Sequence, residues 1–133
     1  MREAESYRGV SLILAYSQCI AHGIDMARGM SHQKEIVQCG LWPLYRYDPR
    51  LAQPGSQPFR LDSRKPTIRF EDFYQTEARF AQTMSGDTPE ARQMLAQAQQ
   101  DIDDQWHLYE QMATLDRQLT TNGTAQTSQV ENP

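Results

Sequence analysis

The chain has 133 residues, enough for one small domain and too few for two. It is 38% hydrophobic and 23% charged with a mean hydropathy of −0.74, so a core of its own is expected to be thin. A net charge of −4 argues against a nucleic-acid partner, two cysteines are too few for a disulfide scaffold, and the longest apolar run is too short to cross a bilayer.

Met1-Arg2-Glu3-Ala4-Glu5 lacks the apolar stretch of a secretory signal, and a cytoplasmic location is the default expectation, with no membrane partner. That longest run, Val10 to Tyr16, is nearly continuous in apolar residues. It suits a strand buried on both faces, as in a parallel sheet covered by helices, and a short buried helix is the competing reading. Cys19, Ala21, His22 and Gly23 would then lie in the loop beyond the strand's C-terminal edge, where ligands and cofactors gather in open α/β sheets.

Ser31 is placed to cap a short helix containing Ile36 and Val37, ended by Gly40 in the left-handed conformation. Trp42 to Tyr47 reads as extended, and Phe59-Arg60-Leu61 reads as a short strand returning beside it after the breakers Asp48-Pro49, Pro54, Gly55 and Pro58. Phe70, Phe73, Tyr74, Glu77 and Phe80 recur at helical spacing and predict one helix over 71–83. Thr88-Pro89-Glu90 is a strong helix start, with Thr88 as the cap and Pro89 where its missing donor costs nothing. Ala91, Leu95, Ala98, Ile102, Trp106, Tyr109 and Ala113 form one apolar stripe along that long helix, and simple packing explains them. Beyond Leu119, residues 120–133 lack apolar periodicity and read as a disordered tail. Asn122-Gly123-Thr124 within it matches a glycosylation sequon, an accidental one in a cytosolic chain. The expected fold is therefore an α/β fragment over 1–119: one buried parallel-type strand, a short hairpin and a mostly helical C-terminal half.

Charge is uneven along the chain. Through Phe70 there are ten Lys/Arg against six Asp/Glu, and from Glu71 onward three against eleven. Arg46, Arg50, Arg60, Arg64, Lys65 and Arg69 could face an anion or pair with the acidic rear half, and internal pairing is the more ordinary use of such a run.

The one chemical constellation is Cys19-x-x-His22, with His32, Cys39 and His107 scattered after it. Zinc takes four ligands, usually in two tight pairs, and a single pair argues against it. Taken alone, Cys19 reads as a small buried hydrophobe and His22 as a satisfied loop histidine.

Two stretches go further. Ser11-Leu12-Ile13-Leu14-Ala15-Tyr16-Ser17-Gln18-Cys19-Ile20-Ala21-His22-Gly23, followed by Gly40-Leu41-Trp42-Pro43-Leu44-Tyr45-Arg46-Tyr47-Asp48-Pro49, resembles the pyruvate:ferredoxin/flavodoxin oxidoreductase family. The family pattern runs Ser-Leu-Ile-x-Ala-Tyr-x-x-Cys-Ile-x-His-Gly, a spacer helix, then Trp-Pro-Leu-Tyr-Arg-Tyr-x-Pro. The likeness spans most of residues 2–115, and Val10 departs from it where the family usually has proline.

The resemblance implies a role in oxidative cleavage of pyruvate to acetyl-CoA and carbon dioxide. Thiamine diphosphate with magnesium does that chemistry, and electrons leave through 4Fe-4S clusters to ferredoxin or flavodoxin. It also implies that this stretch ends the thiamine-binding domain, and that Cys19 is one of four thiolate ligands of the cluster nearest the thiamine. Cys39 matches no ligand position. The family's Gly-Asp-Gly and Asn-Thr-Gly-Gly segments, which hold magnesium and the diphosphate, fall upstream of Met1. No catalytic residue is therefore expected here, and the chain would need the remaining part of the oxidoreductase as its partner. The alternative is a non-catalytic remnant or small interaction protein without redox work.

Overall fold

A computed structural model describes residues 1–53, 55–84 and 86–115. The tail from residue 120 and its sequon lie outside the described residues. In chain order the elements are α1 (Arg2–Glu5), α2 (Gly29–Gln38), β1 (Tyr45–Tyr47), β2 (Phe59–Leu61), α3 (Phe70–Tyr74), α4 (Ala78–Met84) and α5 (Pro89–Thr114), with 3-10 turns at Ile20–His22, Met26–Arg28 and Pro49–Leu51. Together they form a small mixed helix and strand structure whose sheet is a two-stranded antiparallel hairpin.

The longest helix starts where its sequence says it should. Thr88 Oγ1 accepts from the Ala91 N–H at 3.2 Å, and Pro89 occupies the first turn. All seven stripe positions are at least partly buried, with Ile102 and Trp106 fully so. On the polar face Gln97, Gln99 and Gln100 each donate to the aspartate four residues on, Asp101, Asp103 and Asp104. Gln99 also accepts from the Phe70 N–H at 2.9 Å and so docks the start of α3 onto α5.

The core joins Ile36 and Cys39 of α2 and its end to Phe70, Phe73 and Tyr74 of α3 and Ile102 of α5. Gly40 ends α2 at φ +83°, as its sequence position predicts. A methyl group there would meet Pro66 at 2.7 Å and Ile102 at 3.1 Å, so the glycine serves both the turn and the close approach. The helix itself begins at Gly29, two residues before the expected cap Ser31. Asp25 does the capping one turn earlier, accepting from the Ala27 N–H at 2.9 Å at the head of the 3-10 turn that leads into α2.

In the hairpin Arg46 lies opposite Arg60, an unfavourable pairing of like charges. Asp62 resolves it by binding the Arg46 guanidinium at 2.7 and 2.9 Å and Arg60 at 3.1 Å. The Arg46 guanidinium holds the Asp62 carboxyl below the usual carboxylate range. Arg46 also reaches Glu3 at 2.6 Å, and Arg50 pairs with Asp48 at 2.7 Å. These basic residues therefore pair with acids of their own half of the chain, not with the acidic rear half. Tyr109 of α5 packs on Tyr45 and Phe59 with ring centroids 5.1 and 6.0 Å apart, which seats the hairpin on the long helix.

Two expectations need correction. Residues 10–16 form neither strand nor helix, and Val10 and Leu12 are 97% and 81% exposed. A strand exists only through its neighbours' hydrogen bonds, and no strand among the described residues pairs with this run. The helix expected over 71–83 is broken at 75–77. Thr76 Oγ1 donates to the Phe73 carbonyl at 2.6 Å, and the N–H groups of Thr76 and Glu77 donate to carbonyls three residues back. This local competition tightens and ends α3, and α4 starts afresh at Ala78.

Two outcomes follow. Gly40→Ala should cost about 1–2 kcal/mol or more, seen as roughly 5- to 30-fold faster amide exchange in α2 and the middle of α5. The purified chain should bind hydrophobic-surface dyes and self-associate through residues 10–14. A monomer with a single cooperative unfolding transition would contradict this.

Candidate functional site

Cys19 sits in extended backbone at the entry to the Ile20–His22 turn. The turn closes through the Gly23 N–H donating to the Ile20 carbonyl at 2.9 Å, with Gly23 at φ +70°. A methyl group on Gly23 would lie 2.7 Å from the Ala78 Cβ, and the Ala78 N–H donates to the Gly23 carbonyl at 3.4 Å. The loop thus leans directly on the first residue of α4, and buried Ile24 follows it inward.

The other flank is pinned as well. Gln18 Nε2 donates to the Gly29 carbonyl at 3.0 Å, and Gln33 Nε2 donates to the Tyr16 carbonyl at 3.3 Å. Tyr16 stacks obliquely on Trp42 at 5.5 Å. Between these anchors the Cys19 thiol is exposed, not the buried small hydrophobe that its residue type alone suggests. His22 is the last residue of the turn, and its side chain lies outside the described part of the structure.

Cys39 has the opposite environment. It is fully buried in the core, its Sγ donates to the Ile36 carbonyl at 3.3 Å, and burial pushes the thiol's pKa up. A protonated thiol wrapped by apolar groups is neither a nucleophile nor a ligand.

The scattered histidines do not converge on Cys19. His107 lies exposed on α5 with Nδ1 2.7 Å from the Asp103 carbonyl. His32 is buried, with Nε2 2.7 Å from Glu77 Oε1. Its Nδ1 is 3.2 Å from Thr76 Oγ1, which also donates to the Phe73 carbonyl. The ring stacks on Phe73 at 4.7 Å. Glu77 is completely buried. Residue type alone did not single out this pair; the available signal was a carboxylate on an otherwise aromatic helical stripe. Among the described residues no group of three or more His, Cys, Asp or Glu side chains could hold a metal ion, and no helix is long and apolar enough to cross a membrane.

The donor set therefore fits a metal cluster only in part. One accessible thiol on a loop anchored at both flanks fits one ligand position, and the second cysteine does not fit another.

No family model matches the chain. It is 45% identical over 112 residues to the pyruvate-flavodoxin oxidoreductase of Nostoc sp., covering 84% of this chain and 9% of that protein. It is 43% identical over 111 residues to the pyruvate:ferredoxin oxidoreductase of Moorella thermoacetica, covering 84% and 10%. It is 36% identical over 112 residues to the mitochondrial pyruvate dehydrogenase [NADP(+)] of Euglena gracilis, covering 83% and 6%. The chain thus corresponds to a short stretch of large oxidoreductases, about a tenth of the length of these relatives. As such a segment it belongs to the pyruvate-flavodoxin/ferredoxin oxidoreductase family.

The geometry makes a direct chemical distinction between the two thiols. Under native conditions a maleimide should label Cys19 at least about 100-fold faster than Cys39, with Cys39 reacting fully only after denaturation. Equal rates, read by peptide mass spectrometry, would contradict the assigned burial.

Proposed function

We propose that this chain is the end of the thiamine-binding part of a pyruvate:ferredoxin or pyruvate:flavodoxin oxidoreductase, and that Cys19 supplies one of four thiolates to its 4Fe-4S cluster. The observation that carries this reading is the contrast between the cysteines: Cys19 is exposed on an anchored loop, while Cys39 is sealed in the core. The overall conversion takes pyruvate and CoA to acetyl-CoA and carbon dioxide, releasing two electrons to the carrier. The cluster, when bound, supplies one-electron transfer out of the thiamine site. This chain's own part is to hold a soft sulfur donor in place and to keep the core behind it dry.

The run Val10 to Tyr16 belongs to the same reading. Beside strands from the rest of the enzyme it would become the inner strand of a parallel sheet. Burying a valine or leucine side chain contributes about 1.5–3 kcal/mol, so Val10, Leu12, Ile13 and Leu14 provide a strong drive for that docking. Relatives whose names specify flavodoxin, ferredoxin and NADP(+) all contain a matching stretch.

Anaerobic reconstitution tests the ligand assignment. With two cysteines, this chain alone should give no stable 4Fe-4S signal, and adding the polypeptide that carries the rest of the enzyme should restore one. In the assembled enzyme Cys19→Ser should lose or weaken one cluster and slow pyruvate-dependent reduction of a carrier, because an alkoxide is a poor soft ligand. Cys39→Ser should change little. Iron content and EPR of the reduced enzyme decide between them. Loss on Cys39→Ser with an intact Cys19→Ser enzyme would reverse the assignment. Indifference to both would favour a remnant without redox work.

A further inference from the structure

Among the described residues His32 and Glu77 form a buried contact between two polar side chains, with His32 4% and Glu77 0% exposed at a separation of 2.7 Å. A buried pair of this kind is weak evidence for stability, because desolvation offsets most of its attraction and apolar side chains of similar volume would serve as well. Its location suggests another use. His32 is adjacent in sequence to Gln33, which donates to the Tyr16 carbonyl. Glu77 is adjacent to Ala78, which donates to the Gly23 carbonyl. Two of the three hydrogen bonds that hold the Cys19 loop, Gln33 to Tyr16 and Ala78 to Gly23, therefore issue from the immediate neighbours of the two paired residues, the third being Gln18 to Gly29. The pair joins α2 to the start of α4, the two elements the loop rests on. Ring stacking on Phe73 and the contact with Thr76 fix the imidazole's rotation, so the distance between those elements is set by a directional contact and not by pliable packing.

We propose that His32 and Glu77 are positioning residues for Cys19, an inference that rests on the cluster-ligand reading above. They hold α2 and α4 at the spacing that presents the thiolate to its iron. They touch neither iron nor substrate and act through the Gln33–Tyr16 and Ala78–Gly23 contacts.

The test uses the complete oxidoreductase that carries this segment, with Cys19→Ser as the reference. Glu77→Leu keeps the volume and removes the acceptor; Glu77→Gln keeps an oxygen that can still accept from Nε2–H. Glu77→Leu should release iron from the Cys19-dependent cluster to a chelator about 10- to 100-fold faster and should alter that cluster's EPR signal and midpoint potential, leaving the other clusters unchanged. Glu77→Gln should restore most of the native behaviour. If Glu77→Leu does not assemble, His32→Asn, which keeps a polar group and shortens its reach, should assemble and show the same selective spectral shift. Assembled Glu77→Leu or His32→Asn enzyme with native EPR, potential and iron retention overturns the proposal, while loss of the cluster in Cys19→Ser leaves the ligand reading standing. A cluster that survives Cys19→Ser overturns both.

Discussion

A 2.7 Å contact between two side chains with almost no solvent exposure ties α2 to the junction of α3 and α4. Removing one partner of such a contact leaves the other with one partner fewer in a largely apolar interior, which is destabilising. The break in the helix at 75–77 is part of the same arrangement. At the break Thr76 bonds the Phe73 carbonyl and faces His32 at once. The interruption that looks like a helical defect is what places Thr76 and Glu77 around one imidazole.

Behind this contact the chain meets its own requirements, and ahead of it the chain does not. The core of Ile36, Cys39, Phe70, Phe73, Tyr74 and Ile102 closes over itself, and the hairpin is seated by aromatic stacking and by Asp62 between two arginines. Residues 10–14 instead present Val, Leu, Ile and Leu to solvent around an open groove shared with Trp42, Tyr45 and Tyr109. A surface of this sort is ordinary at an interface and unusual on a free monomer. It agrees with a chain that spans about a tenth of the relatives it matches.

Features determined within a few residues were legible in the sequence. The Thr88-Pro89 start, the stripe from Ala91 to Ala113, the left-handed Gly40 and the return of Phe59–Leu61 beside the expected Trp42–Tyr47 stretch depend on local capping, periodicity and turn chemistry, and all are present, the first strand starting only at Tyr45. What failed depended on distant partners. A strand over 10–16 needs neighbours that the described chain lacks. The exposure of Cys19 depends on how its loop lies across α2 and α4. The arginines were expected to look toward the acidic C-terminal half, but Asp48, Asp62 and Glu3 were nearer along the chain or across the hairpin, and proximity decided the pairing. Glu77 was visible on the aromatic stripe, but its partner His32 lies 45 residues away, and periodicity carries no information on which histidine a buried carboxylate will meet.

The site inherits this division. The side chain with ligand chemistry, Cys19, is at the surface, but its position is fixed from within, by backbone contacts that run to α2 on one flank and to α4 on the other. An exposed thiol on an unrestrained loop would lose conformational freedom each time it bound iron. A loop held at Tyr16, Gln18 and Gly23 has already incurred that entropic cost in folding. On the proposed reading the chain's contribution would be mainly geometric: one exposed sulfur, carried by a small core in which the His32–Glu77 contact joins the two helices beneath it.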